Sequence, residues 1–128
     1  MEREALNLLA SEVVDAAFVV HKHMGPGLLE SIYEHCLMKE FEIRRVPAMR
    51  QVPIPLIYRG IELSKNYVVD ILVAEEIILE LKAVEAILPV HEAQIISHLK
   101  LANKRLGFLL NFNVPVMKVG IKRFVNNF

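Results

Sequence analysis

A chain of 128 residues has the length of one domain, 1–128, and can bury roughly two-thirds of the surface its unfolded form would expose. Hydrophobic residues make up 54% of it, which excludes an intrinsically disordered chain, and no apolar run approaches the ~20 residues of a membrane span. Fifteen basic residues cancel fifteen acidic ones, so whole-molecule charge weighs against tight, nonspecific binding of a polyanion. The single cysteine, Cys36, excludes an internal disulfide, and the N-terminus MEREALNLLASE lacks the pattern of a secretory leader. Both point to a reducing, cytoplasmic setting.

The first segment, EREALNLLASEVVDAAFVVHKH, carries Leu6, Leu9, Val13, Ala16, Ala17 and Val20 at helical spacing. It is predicted to end at MGPG, where Gly25 suits a left-handed cap and Pro26 blocks continuation. A second helix is expected over 28–44, with Leu29, Ile32, Tyr33, Cys36, Leu37 and Phe41 facing inward. Pro53 and Pro55 suggest an edge strand over 51–58, since proline cannot donate to a ladder. Gly60 marks a turn, and two nearly apolar strands are expected over 67–73 and 77–84. Pro89 opens a third helix, HEAQIISHLKLANK, and RLGFLLNFN reads as a buried strand. The closing stretch VPVMKVGIKRFVNNF receives no assignment. Strands joined by short turns pair antiparallel, and the crossover helix lets the last strand lie parallel to the third. The expected class is α/β, a mixed sheet with helices on its faces.

Charges interrupt the apolar run VVDILVAEEIILELKAVE at Asp70, Glu80 and Lys82. Glu80 and Lys82, two apart on one strand, share a face. A three-residue turn, Ala74-Glu75-Glu76, pairs Val73 with Ile77 and brings Asp70 opposite Glu80. A two-residue turn would send Asp70 to the other side. Facing carboxylates repel and need compensation. Lys82 supplies one positive charge, and Mg²⁺ or Mn²⁺, which prefer hard carboxylate oxygens, would supply the rest. The plainer alternative is a Lys82–Glu80 ion pair with Asp70 at a strand end in solvent. In GPGLLESIY, Glu30 stands in the first turn of the second helix, where an acid also complements the helix dipole without any ligand.

Gly27-Leu28-Leu29-Glu30-Ser31-Ile32-Tyr33, followed by Asp70, Glu80-Leu81-Lys82, PVHEAQ and LLNFNVP, resembles the GxxExxY proteins, a group related to the PD-(D/E)XK nuclease superfamily. The similarity runs over about 19–125. It implies a core of helix, three-stranded meander, helix and strand, here with an extra N-terminal helix. It also implies a metal-dependent nuclease acting on DNA or RNA, with Mg²⁺ or Mn²⁺ held by Glu30, Asp70, Glu80 and the Leu81 carbonyl. Lys82 matches the catalytic lysine, and Gln94 a glutamine that some nuclease branches carry on the helix after the triplet. Those branches often have a tyrosine four residues later, where this chain has His98, and Val69 replaces their proline before the aspartate. His91, Gln94 and His98 share one helical face, which a solvated or packing stripe would equally explain. Arg50, Lys100, Lys104 and Arg105 are available for backbone phosphates. A noncatalytic nuclease-like binding or assembly module is the competing reading. The first helix or VMKVGIKRFV could pair subunits into a homo-oligomer under either.

Overall fold

In the computed structural model, which describes all 128 residues, the first expected helix is α1, Arg3–Met24. Leu6, Ala10, Val13, Ala16, Ala17 and Val20 are buried at intervals of three or four, so one stripe faces the sheet. Gly25 closes the helix at φ 70 and ψ 178, and its N–H reaches His21 O at 2.8 Å. That region is open mainly to glycine, but it is extended in ψ and not the left-handed helical cap the sequence suggests. Helix α2, Glu30–Ile43, begins two residues later than expected. It buries Tyr33, Leu37 and Phe41, while Leu29 and Ile32 stay exposed and Glu34 turns inward.

Strands β1 (Ala48–Tyr58) and β2 (Ile61–Val73) both begin earlier than their apolar patterns indicate. Their ladder extends from Ala48↔Val73 to Tyr58↔Ile61, a two-stranded ribbon that runs past the rest of the sheet. Pairing between two strands needs no buried face, so the exposed, mostly polar stretch 62–66 can continue the ladder. Pro53 and Pro55 lie on β1 at the sheet edge, as their missing N–H requires.

Strand β3, Ile77–Lys82, is followed by helix α3, Pro89–Ala102, and by β4, Leu106–Asn111, parallel to β3. A short 3-10 turn, Met117–Gly120, leads into β5, Ile121–Val125, antiparallel to β4. This is the strand the sequence left unassigned. The sheet order is β1-β2-β3-β4-β5, a mixed sheet of the class expected.

Leu79 and Leu81 of β3 pack with α1 and α2 in the larger core, whereas Ile78 packs with Leu99 of α3. The two helical layers therefore cover opposite faces. Helix α3 sits so close to β4 that a Cβ at Gly107 would lie 3.1 Å from Ile78 O and 3.2 Å from Leu99 Cδ2.

Strand β2 breaks its alternation at Asp70. Ile71 and Val73 join the larger core, yet Val69 joins Leu72 on the α3 side. Strict period two would have kept Val69 with Ile71. Its β1 neighbour Gln51, bracketed by the pairs Arg50↔Ile71 and Val52↔Val69, takes φ 52. The β2–β3 ladder stops at the same place, after Ile71↔Leu79. The two strands thus part between Asp70 and Glu80, and this fork positions the site.

Candidate metal centre

The turn between β2 and β3 is Ala74-Glu75-Glu76, with Ala74 and Glu75 at φ 51 and 60, and Val73 pairs with Ile77. This register agrees with the expectation from the odd turn length. Asp70 and Glu80 nevertheless do not form a ladder pair. Because β2 has left, the Leu81 N–H lacks a strand acceptor, and Asp70 Oδ2 takes that bond at 2.7 Å. Glu80, 9% exposed, places Oε1 2.7 Å from His98 Nδ1. The His98 ring stacks on Tyr67 with centroids 4.4 Å apart, and Tyr67 OH donates to His98 O at 3.1 Å.

Glu30 comes to the fork on the first residue of α2, and the sequence around it explains how. Gly27 takes φ 93, which favours glycine. Tyr33 OH donates to Gly25 O at 2.6 Å and accepts from Leu28 N at 3.1 Å, so the loop before the helix is tied to its first turn. The Tyr33 ring stacks on Phe112 at 4.5 Å. In GLLESIY the glycine permits the bend, the tyrosine holds it, and Glu30 is the residue so aimed. LLNFNVP has a matching part. Buried Asn111 grips the chain just beyond Lys82, accepting from Val84 N at 3.1 Å and donating to Val84 O at 3.0 Å. Val114 O lies 2.8 Å from His21 Nε2.

The acids feel one another. Burial raises Asp70 to about 6; the Leu81 N–H opposes this, while the charges of Glu80, Glu30 and Glu34 add to it. Glu30 is also raised, first by burial, against the nearby charge of Lys82, with Glu34 and Glu80 pushing it further. Tyr67 is pushed up to about 12 by burial and by Glu80. The ion pairs of the molecule use Met1, Lys39, Arg44, Arg50 and Lys122; Lys82 is in none of them. The plainer alternative, a Lys82–Glu80 pair with Asp70 in solvent, is therefore not what forms. Glu80 goes to His98, and Asp70 is half-buried on Leu81.

Carboxylate oxygens gathered beside a single ammonium suit a hard cation in donor type and in charge. No three His, Cys, Asp or Glu side chains are closed to ligand spacing, however. Asp70 and Glu80 each give one oxygen to a donor of the protein and keep the other free.

Of the expected residues, Glu30, Asp70, Glu80 and Lys82 share one electrostatic neighbourhood. Leu81 lies between them, its side chain buried in the larger core. Gln94 is exposed and lines a recess of about 310 Å³ beside Tyr67 and His98. His91 is occupied in capping α3, its Nδ1 3.0 Å from Leu88 N. Lys104 donates to Glu75 O, Arg105 to Met1 O and Arg50 to Glu34, so three of the four expected phosphate contacts brace the fold. Sequence reasoning missed Glu34, 5% exposed, which receives Arg50 at 3.1 Å and Gln51 at 2.5 Å and so holds β1 beside Asp70. Its one signal was position, a full helical turn after Glu30.

A family model described as the PD-(D/E)XK nuclease superfamily matches residues 7–124. No curated protein and no solved structure matches the chain.

Proposed function

Since the chain belongs to the PD-(D/E)XK nuclease superfamily, we propose that it is a Mg²⁺- or Mn²⁺-dependent nuclease of the GxxExxY group, hydrolysing phosphodiester bonds of DNA or RNA. The observation that carries this reading is uncompensated charge. Acids from α2, β2 and β3 meet at the fork, burial and neighbouring acids raise Glu30 and Asp70, and the one lysine among them is paired with none. Glu30, Asp70 and Glu80 would hold the cation, with the Leu81 carbonyl as a further oxygen donor. A divalent ion bound there supplies Lewis acidity toward the phosphate and a more acidic water. Lys82 donates to the phosphate oxygen on which negative charge grows, or orients the attacking water. Gln94, on the exposed face of α3, offers its amide to the same phosphate.

The test is a cleavage panel on single- and double-stranded DNA and RNA with Mg²⁺ or Mn²⁺, and Lys82→Ala as control. Cleavage that needs the metal and disappears in the variant supports the reading. Cleavage that a clean Lys82→Ala preparation retains refutes it.

One observation favours a second reading, a noncatalytic binding or assembly module: the donors are not closed to ligand spacing. Nucleic-acid binding without turnover, under every metal tried, would select it. Pairing of subunits through α1, whose Leu8 is exposed, or through edge strand β5 is compatible with both. No helix is long and apolar enough to cross a membrane.

A further inference from the structure

Glu80 stands on a buried stretch of β3 with only 9% of the residue exposed, so its carboxylate needs a donor. The donor comes from α3. Its other sheet-facing positions nearby, Ile95 and Leu99, are apolar and fully buried, and an apolar residue at 98 would continue that stripe. His98 departs from it with a ring nitrogen 2.7 Å from Glu80 Oε1. The residue is itself held twice from β2, its ring by the stack on Tyr67 at an interplanar angle of 16° and its backbone by the Tyr67 OH bond to the His98 carbonyl. Tyr67 lies three residues before Asp70, on the arm of the fork that diverges from β3. The chain Tyr67–His98–Glu80 therefore ties the two arms together beyond the point where ladder hydrogen bonds end.

We infer that His98 is a positioning residue for Glu80: its Nδ1–H, aimed by Tyr67, fixes Oε1 and leaves Oε2 as the oxygen presented to the cation. The inference rests on the metal-dependent reading above. Its physical content is a tautomer and a direction. A carboxylate accepts only, so Nδ1 must carry the proton that Oε1 receives. With one oxygen fixed, Glu80 gives up less rotational freedom on binding a cation than an untethered glutamate does.

The experiment titrates the metal-free full chain with Mn²⁺ calorimetrically, in the absence of substrate, for the native protein and three variants. His98→Phe keeps a flat ring against Tyr67 and has no donor. His98→Asn carries an amide nitrogen near the place of Nδ1, and His98→Gln carries one near the place of Nε2. The expected result is an affinity about tenfold weaker for Phe and Gln. Asn should recover most of the loss, and thermal melts should set aside any variant that does not fold. Equal Mn²⁺ affinity in the native protein and His98→Phe overturns the positioning role, as does recovery by Gln and not by Asn. The tautomer needs no variant: nitrogen-proton NMR of the native protein should show His98 protonated at Nδ1, and a proton on Nε2 alone overturns the inference. A native protein that binds no Mn²⁺ overturns the metal-dependent reading itself, a result distinct from failure of the His98 role.

Discussion

Two places in this molecule gather three acids, and they handle the charge in opposite ways. At the junction of α1 and α2, Arg44 meets Glu12 at 2.9 Å, Asp15 at 2.6 Å and Glu40 at 2.7 Å. One planar guanidinium with several donors serves every acid, and those bonds push its own proton affinity up. Arg44 also caps α2, where a cation suits the negative end of the helix. At the fork, Glu30, Asp70 and Glu80 have Lys82 among them in no ion pair, and Glu30 and Asp70 are both raised. Ion pairing closed within the protein is sufficient to explain the first cluster. The second is left short of positive charge, which is why it, and not the cluster with the better geometry, reads as the functional site.

The strongest way to break this contrast is to exchange the cations. Lys82→Ala should lower metal-dependent cleavage by about 10²-fold or more with little change in melting temperature. Arg44→Ala should leave the cleavage rate near that of the native protein. A Lys82→Ala enzyme that still turns over would make the two clusters equivalent.

Asp70 gives the next largest effect, and its sign is unusual for an acid. Its folded-state value of about 6 lies above the ordinary 3.8, so its contribution to stability is fully present below about pH 3.8 and is lost as pH rises through about 6. Metal-free protein should therefore melt lower at pH 7.5 than at pH 5 on this account. Asp70→Asn should flatten that slope and raise the melting temperature near neutrality while weakening Mn²⁺ binding. A variant that loses stability at pH 7.5 would show that the carboxylate is favourable in the folded state, as in the Arg44 cluster.

Tyr33→Phe removes the hydroxyl that serves Gly25 and Leu28. Denaturant unfolding should show a loss of about 1–2 kcal/mol. Mn²⁺ affinity should also fall, because Glu30 is no longer aimed. The smallest effect is the stability change in Arg44→Ala, about 1 kcal/mol for a partly exposed network. It should shrink further in high salt, which screens exposed pairs.

The residues of the fork were legible to different degrees. The two-residue period of strands gives Glu80 and Lys82 one face, but Asp70 sits where that period breaks, and the pairing with Glu80 expected from the turn length does not form. Glu30 could be placed only through the spacing of Gly27, Glu30 and Tyr33. The stacked Tyr33 and Phe112 that explain this spacing are distant in the chain. Leu29 and Ile32 were assigned to the core by helical spacing and are exposed, since Glu34 takes an inward place that spacing alone reserves for apolar residues. Strand β5 was missed because its burial is partial and scattered. His98 looked like one residue of a polar stripe until α3 was seen to lay it against Glu80.

By itself the sequence determined the order of the main elements, the parallel return of β4, the odd turn between β2 and β3, and the shared face of Glu80 and Lys82. These follow from rules that act over a few residues: helical and strand periods, proline and glycine at turns, and parity across a hairpin. Only the tertiary structure decided where β2 and β3 part, that Asp70 replaces a lost ladder acceptor, that Glu80 is held by His98, and that Lys82 stays unpaired. Those outcomes depend on which donors and acceptors meet after distant segments pack, and no local pattern carries that information.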